Sequence, residues 1–426
     1  MVQGEGRRRW VPWLVGGLIL ALAVCAVPVV VAVTMVDRVP RVAASGGVPA
    51  ASPRPGDPES VTQAWLRDRM TDVLAQQAAA LLRGDERGFL AAAVPTSRAV
   101  PVLRRQYRSL RALRVTVWQP RIVDLPARQG GEWEVAVSFG HCFAVPGCQP
   151  ARVSIETRWT GEADRLRLVA VEPSPSAQDG PRPWEVSDLV VASGRRTLVA
   201  TTSAQRGQLA TLLAEAEQAA AVADRYAVGA PPDRYLIFFA GAAEWRRWYG
   251  GDRPEWTAGY AVPVGGDHFD VVLGAQGLHP SVRDDLLRHE MTHVSSLPGE
   301  GYRTGANWWL VEGLADHAAA DGRPVHGYES LPDVRKLVSA GWQGPLAEAE
   351  PGSGATGWRV NAAYGVGYLA VRHLVDRYGL SDVLAFFQAV MRDRRSVEEA
   401  SRRVFGMEWP ALHADCVAYI VAAAGP

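Results

Sequence analysis

The residues with the clearest capacity for chemistry stand in the string His289-Glu290-Met291-Thr292-His293. The segment around it, from Ser281 to Val294, predicts a helix with Ser281 as its N-cap and Asp284 three positions on. In a helix, residues four apart project from one face on successive turns, so the imidazoles of His289 and His293 can close on a single ion. Glu290, neighbour to the first imidazole, then lies beside that ion and not on it, where a general base belongs. Leu287, Met291 and Val294 form the opposite stripe and are expected to face the core. Two ordinary hydrogen-bonded histidines would give the same string, and a second segment tips the reading towards a metal. Asn307-Trp-Trp-Leu-Val-Glu312-Gly-Leu-Ala-Asp316 predicts another helix, opening at Asn307 and carrying carboxylates four residues apart. Eighteen residues separate His293 from Glu312. That is enough for the second helix to return along the first and offer a third ligand, with Asp316 one turn on to orient a histidine.

Two neutral imidazoles and one carboxylate leave a bound Zn2+ with positive charge and an open fourth position for water. Such an ion acidifies that water and polarises a carbonyl, while Glu290 takes the proton and passes it to the leaving group. A purely structural zinc site would have no use for Glu290 and is more often closed by four protein ligands. Together, His289-Glu-Met-Thr-His293 and Trp309-Leu-Val-Glu312-Gly-Leu-Ala-Asp316 resemble the two motifs of the gluzincin clan of metallopeptidases, the thermolysin-like and aminopeptidase-like group. The resemblance runs from Glu185 to the C-terminus. It implies a peptide or protein substrate, zinc held by His289, His293 and Glu312, water activated by Glu290, and Asp316 bracing a histidine.

Related gluzincins also place a tyrosine donor downstream of the third ligand. By that resemblance Tyr364 is the candidate to stabilise an oxyanion, with Tyr368 second, in a predicted helix that opens at Asn361; His373 reads as structural. The Gly-x-Met-x-Asn element of the aminopeptidase branch is not found before His289, so an N-terminal exopeptidase is not implied. The alternative to an enzyme is a catalytically inactive zincin-fold binding or scaffolding protein at the cell surface, against which the intact Glu290 argues.

These residues need elements to hold them. Strands are predicted at Gly259 to Val264 and Phe269 to Leu273, joined by a hairpin turn at Gly265, Gly266 and Asp267, and would supply an edge to which a peptide adds as a strand. Further strands are predicted from Asp188, Arg196 and Tyr235, with an Ala-rich helix from Ser203 to Tyr226 between the last two. Strands first and helices afterwards predict an α+β fold of zincin type over 185–426. Upstream, helical spacing from Val61 to Leu81 stops at Gly84. Trp133, Val135, Val137 and Phe139, and then Val153, Ile155, Thr157 and Trp159, alternate as strands with one wet face. The element order over 60–174 resembles the cone-shaped nuclear-transport-factor-2-like fold, a ligand holder or an interaction module. A small-ligand or cyclase-like activity would need converging polar groups, and His141 is the only histidine there. Cys142 and Cys148, six positions apart around Pro146 and Gly147, predict a disulfide staple, and Cys416 a buried thiol.

With 426 residues, 48% of them apolar, the chain is expected to form two or three domains. Its formal net charge is zero, which leaves no basic footprint for nucleic acid. Val11 to Val36 carries no charged side chain and follows Arg7, Arg8 and Arg9. The expectation is a cytoplasmic tail at 1–10, an uncleaved transmembrane signal anchor at 11–36, a Pro- and Gly-rich linker at 37–59 and a second linker at 175–184. The body would then be extracytoplasmic, on a cell membrane crossed once. A lipoprotein would need a small residue before Cys25, and Val24 stands there.

Overall fold

The computed structural model describes residues 50, 52–161, 165–175, 179–251, 253, 257–275, 278–299 and 305–425. The expected tail and membrane anchor, and most of the first linker, lie outside the described residues. Among the described residues no helix is long and apolar enough to cross a membrane. From Ser52 onward the chain forms one compact unit of mixed helix and sheet.

Helices α1 (Glu59–Arg83), α2 (Glu86–Leu90) and α3 (Ala99–Ala112) come first. Gly84 ends α1 in the left-handed region at φ 79°, and Asp85 starts α2 by accepting the Gly88 N–H at 2.8 Å. An antiparallel sheet follows: β1 (Val115–Ile122), β2 (Ala127–Gln129), β3 (Glu132–Phe143), β4 (Ala151–Thr160) and β5 (Arg167–Val171), in the order β1-β3-β4-β5 with β2 on β3. In β4, Ala151, Val153, Ile155, Thr157 and Trp159 are buried, and the residues between them are not, the period of two that the sequence predicted. The space between helices and sheet is filled. Leu74, Gln77, Phe89, Trp118, Phe139 and Thr157 border a gap of about 10 Å³, room for one water and no larger ligand. Cys142 and Cys148 are joined as a disulfide at the end of the β3–β4 hairpin.

After α4 (Pro183–Val186) comes a second sheet: β6 (Leu189–Ser193), β7 (Thr197–Thr202), β8 (Tyr235–Ala240), β9 (Gly259–Gly265) and β10 (His268–Gly274). Its order is β6-β7-β8-β10-β9, with β7, β8 and β10 parallel and β9 antiparallel at the edge. Between β7 and β8, the predicted single helix divides. A 3₁₀ turn over Ser203–Gln208 precedes α5 (Leu209–Ala223), and a second 3₁₀ turn over Asp224–Tyr226 follows it. Short α6 (Ala242–Trp245) follows β8. The β9–β10 turn has Gly266 and Asp267 at φ 62° and 59°, the two-residue geometry that matches strand twist. The rest is helical: α7 (Pro280–Ser296), α8 (Trp308–Ala320), α9 (Leu331–Ser339), α10 (Gly357–Tyr378), α11 (Leu380–Phe387), α12 (Val397–Phe405) and α13 (Trp409–Ala424). Cys416 is a buried free thiol in α13.

Strands buried on both faces read as continuous apolar runs, and Tyr235-Leu-Ile-Phe-Phe-Ala240 is one. Ile237 and Phe239 pack towards the helices, with Val271 and Leu273 of β10. Phe238 and Ala240 face the other way, with Val262 and Val272, into the same core as Trp118, Phe139 and Val153 of the first sheet. At ~2 to 3 kcal/mol for each large apolar side chain, this contact joins the two halves firmly. The stretch expected to be a linker is part of it. Glu185 is buried and accepts from the backbone N–H groups of Ser174 (2.9 Å) and Arg182 (2.7 Å), and Trp184 is fully buried. Trp184 packs edge-on against Trp118 and His141, with ring centroids 5.4 and 5.6 Å apart.

Burial pushes the His141 imidazole down to about 4 from its ordinary 6.5. Since the unfolded chain takes up a proton that the folded one refuses, the stability gained from neutral His141 is complete above pH 6.5 and is lost as pH falls towards 4. The full span corresponds to at most ~3 kcal/mol. Urea unfolding midpoints measured across that window should fall more steeply with acid for the wild type than for His141→Phe.

Candidate metal centre

Helix α7 is fixed before any ligand is considered. The His279 carbonyl accepts the Arg283 N–H at 3.0 Å, so the helix starts ahead of Ser281, which lies in its first turn and is not the N-cap the sequence suggested. Leu287, Met291 and Val294 pack into the core under the second sheet. The Arg283 guanidinium makes two 2.7 Å bonds to the Glu215 carboxylate of α5, and the Ser295 hydroxyl donates to the Ala223 carbonyl at 2.9 Å. At the far end Arg392 donates to the carbonyls of Ser296 (3.2 Å) and Leu297 (3.0 Å).

Helix α8 runs beside α7 and is itself crossed by α10. The crossing is glycine on glycine: a Cβ on Gly313 would lie 2.2 Å from the Gly367 carbonyl oxygen, and one on Gly367 would lie 2.8 Å from that of Trp309. This close approach brings Tyr364 of α10 to the site. Its ring centroid is 6.0 Å from that of His289, and it packs edge-on against buried Trp308 at 5.0 Å. Tyr368 instead stacks on Tyr328 at 4.0 Å, and His373 pairs with Asp415 at 3.2 Å and stacks on Tyr419.

Three of the predicted site residues converge. His289 Nε2 lies 3.1 Å from His293 Nε2 and 3.1 Å from Glu312 Oε2, and His293 Nε2 lies 3.4 Å from the same oxygen. Asp316 Oδ1 is 2.7 Å from His289 Nδ1. With the ring proton on Nδ1, this contact turns the Nε2 lone pair inward. His293 Nδ1 is buried with no hydrogen-bond partner among the described residues. A zinc ion bound tetrahedrally at about 2.0 to 2.1 Å holds its ligand atoms about 3.3 Å apart. The three separations lie close to that figure, so His289, His293 and Glu312 are a fitting donor set for a metal.

The charges divide the two glutamates. Burial raises the Glu290 carboxyl above its ordinary range, more than the neighbouring imidazoles lower it. Burial opposes the Glu312 charge too, but His293 and His289 hold that carboxyl well below the usual range. For His289, burial works against the charged ring, and the bonds to Asp316 and Glu312 outweigh it, raising the imidazole well above its ordinary value. Tyr364, buried and near three carboxylates, is held protonated. A cleft of about 310 Å³ opens beside Glu290 and His289, lined also by Gly259, Tyr328 and Tyr364. At Gly259 β9 passes close to its neighbours: a Cβ there would come within 2.8 Å of Leu273 Cδ2 and 3.1 Å of Leu286 Cγ and Glu290 Oε1.

Gly259, Gly313 and Tyr328 are the residues that sequence reasoning missed. Tyr328 donates its hydroxyl to Asp316 Oδ2 at 2.5 Å. A glycine inside a predicted helix was the one available signal, at Gly313; nothing in the sequence marked Tyr328.

No protein-family model matches the chain, and no curated protein does. Solved structures overlap it in part, among them the following three. An M1 zinc metallopeptidase from Deinococcus radiodurans is 17% identical with a TM-score of 0.34, over 63% of this chain and 60% of that one. A two-domain M1 zinc metallopeptidase mutant bound to L-arginine is 16% identical with a TM-score of 0.35, over 62% and 59%. Native yeast LTA4 hydrolase is 12% identical with a TM-score of 0.33, over 61% and 42%. The chain thus spans less than two thirds of each of these molecules.

The purified protein should bind one equivalent of zinc. Removing a ligand by His293→Ala or Glu312→Ala should weaken binding by more than the roughly 10- to 100-fold typical of an outer partner, measured by elemental analysis and chelator competition.

Proposed function

We propose that this protein is a zinc-dependent peptidase that hydrolyses bonds in a peptide or protein substrate. The observation that carries the proposal is the convergence of His289, His293 and Glu312 with the buried carboxylate of Glu290 on the same helix. Zinc, when bound, supplies a Lewis acid that acidifies water and polarises a carbonyl.

The remaining work falls to the chain. Strand β9 is the outer strand of its sheet, and a substrate backbone added along it would satisfy its own amide groups. Gly259 lets that backbone lie against Glu290. A Glu290 carboxyl raised by burial takes a proton from water at its Oε atoms and returns it to the departing amine, which calls for a proton affinity near the working pH. Tyr364 keeps its proton and offers it as a hydrogen bond to the oxyanion of the tetrahedral intermediate. Asp316 holds His289 in the tautomer that the ligand set needs.

We further propose that 11–36 anchors the chain in a cell membrane with the body extracytoplasmic. The charge-free run after Arg7, Arg8 and Arg9 supports this, and the Cys142–Cys148 disulfide is in keeping with an exported body. In this reading 60–174 is a nuclear-transport-factor-2-like domain that serves as an interaction module, and 185–426 is the gluzincin-like peptidase.

Incubated with a mixture of denatured proteins, the wild type should produce fragments. Glu290→Gln should keep its zinc and cleave about 10² to 10⁴-fold more slowly. If the wild type binds zinc and produces no fragments from any substrate, the peptidase reading gives way to a binding scaffold. Tyr364→Phe should lower kcat by roughly 10² to 10³-fold with zinc affinity unchanged.

A further inference from the structure

Asp316 has two carboxylate oxygens with different partners. Oδ1 holds His289 Nδ1 at 2.7 Å, and Oδ2 accepts the Tyr328 hydroxyl at 2.5 Å. We propose that Tyr328 is a positioning residue for the metal centre: by fixing Asp316 it fixes His289, so that the wall of the cleft sets how tightly the ion is held. The proposal rests on reading His289, His293 and Glu312 as zinc ligands.

The geometry of Tyr328 suits this role. Its hydroxyl is enclosed against Asp316, while one flank of its half-buried ring lines the cleft beside Glu290 and Tyr364. The other flank lies flat on Tyr368, with centroids 4.0 Å apart and planes at 16°. Its backbone is tied on both sides, the N–H to the Val325 carbonyl at 3.0 Å and the carbonyl to the Leu331 N–H at 3.1 Å. A ring held in this way delivers its hydroxyl to one place. A carboxylate tethered through only one oxygen can swing about its χ2 bond, which is soft; tethered through both, it cannot turn without breaking a charge-assisted bond. Burial pushes the phenol well above its ordinary range, which keeps the hydroxyl a donor.

Phenylalanine at 328 keeps the stack on Tyr368 and removes the hydroxyl with its bonds to Asp316 and to the Ser330 side chain, so it separates positioning from ring packing. Zinc dissociation constants of the full-length protein, measured by chelator competition, should weaken roughly 10-fold for Tyr328→Phe and roughly 10- to 100-fold for Asp316→Ala. The double variant should be no weaker than Asp316→Ala alone, because Tyr328 acts through that carboxylate. In the metal-free protein Tyr328→Phe should lower the melting temperature only by the loss of its hydroxyl bonds, and Tyr328→Leu, which also breaks the stack, should melt lower still. Wild-type affinity in Tyr328→Phe would overturn the proposal, as would an equal loss in the Asp316→Ala background. A wild type that binds no zinc would overturn the zinc-site reading and this inference with it.

Discussion

Three acceptor atoms within 3.4 Å of one another, on side chains that are almost wholly buried, set the terms for the rest of this structure. Taking two imidazoles and a carboxylate out of water together costs solvation. Their positions must therefore be enforced by packing from outside. Helix α7 is pinned on three sides: by its apolar stripe, by the Arg283–Glu215 pair and by Arg392 at its end. Helix α8 is pinned by the glycine crossing with α10. The cluster sits where these constraints meet, and the energy for holding it comes from the cores around it.

In the proposed peptidase the same enforcement lets two glutamates on adjacent helices carry opposite tasks. Glu312 faces both imidazoles and stays charged, as a ligand must. Glu290 is as deeply enclosed but turns towards the cleft and the edge strand, where burial favours its neutral form. Environment, and not residue type, separates ligand from proton carrier. Behind them the interactions continue outward, from His289 to Asp316 to Tyr328 to Tyr368, and pass from polar chemistry into plain aromatic packing.

Much of this centre was legible in the sequence because it depends on local periodicity. Residues four apart on a helix meet, so His289 with His293 and Glu312 with Asp316 follow from spacing alone. The β9–β10 hairpin announced itself in Gly265-Gly-Asp267, and the alternation in β4 is plain in its residues. What escaped depends on contacts between elements distant in sequence. Tyr328 has no pattern around it, and it meets Asp316 of α8 and Tyr368 of α10 only in the folded chain. Ser281 resembled a cap because its chemistry suits one, but the helix gained one more residue of backbone bonding ahead of it. The Ala-rich run from Ser203 held no clear boundary between 3₁₀ and α geometry. The prolines between Pro173 and Pro183 suggested a tether, and the buried carboxylate of Glu185 holds the backbone at Ser174 and Arg182.

The sheet that carries β9 and β10 has middle strands buried on both faces. Its underside is the first sheet and the helices behind it, through Phe238, Ala240, Val262 and Val272. The two halves therefore share one core. Deleting the N-terminal half would leave an oily plane open to water beneath the reactive centre, and heating the intact chain should melt both halves in a single cooperative step.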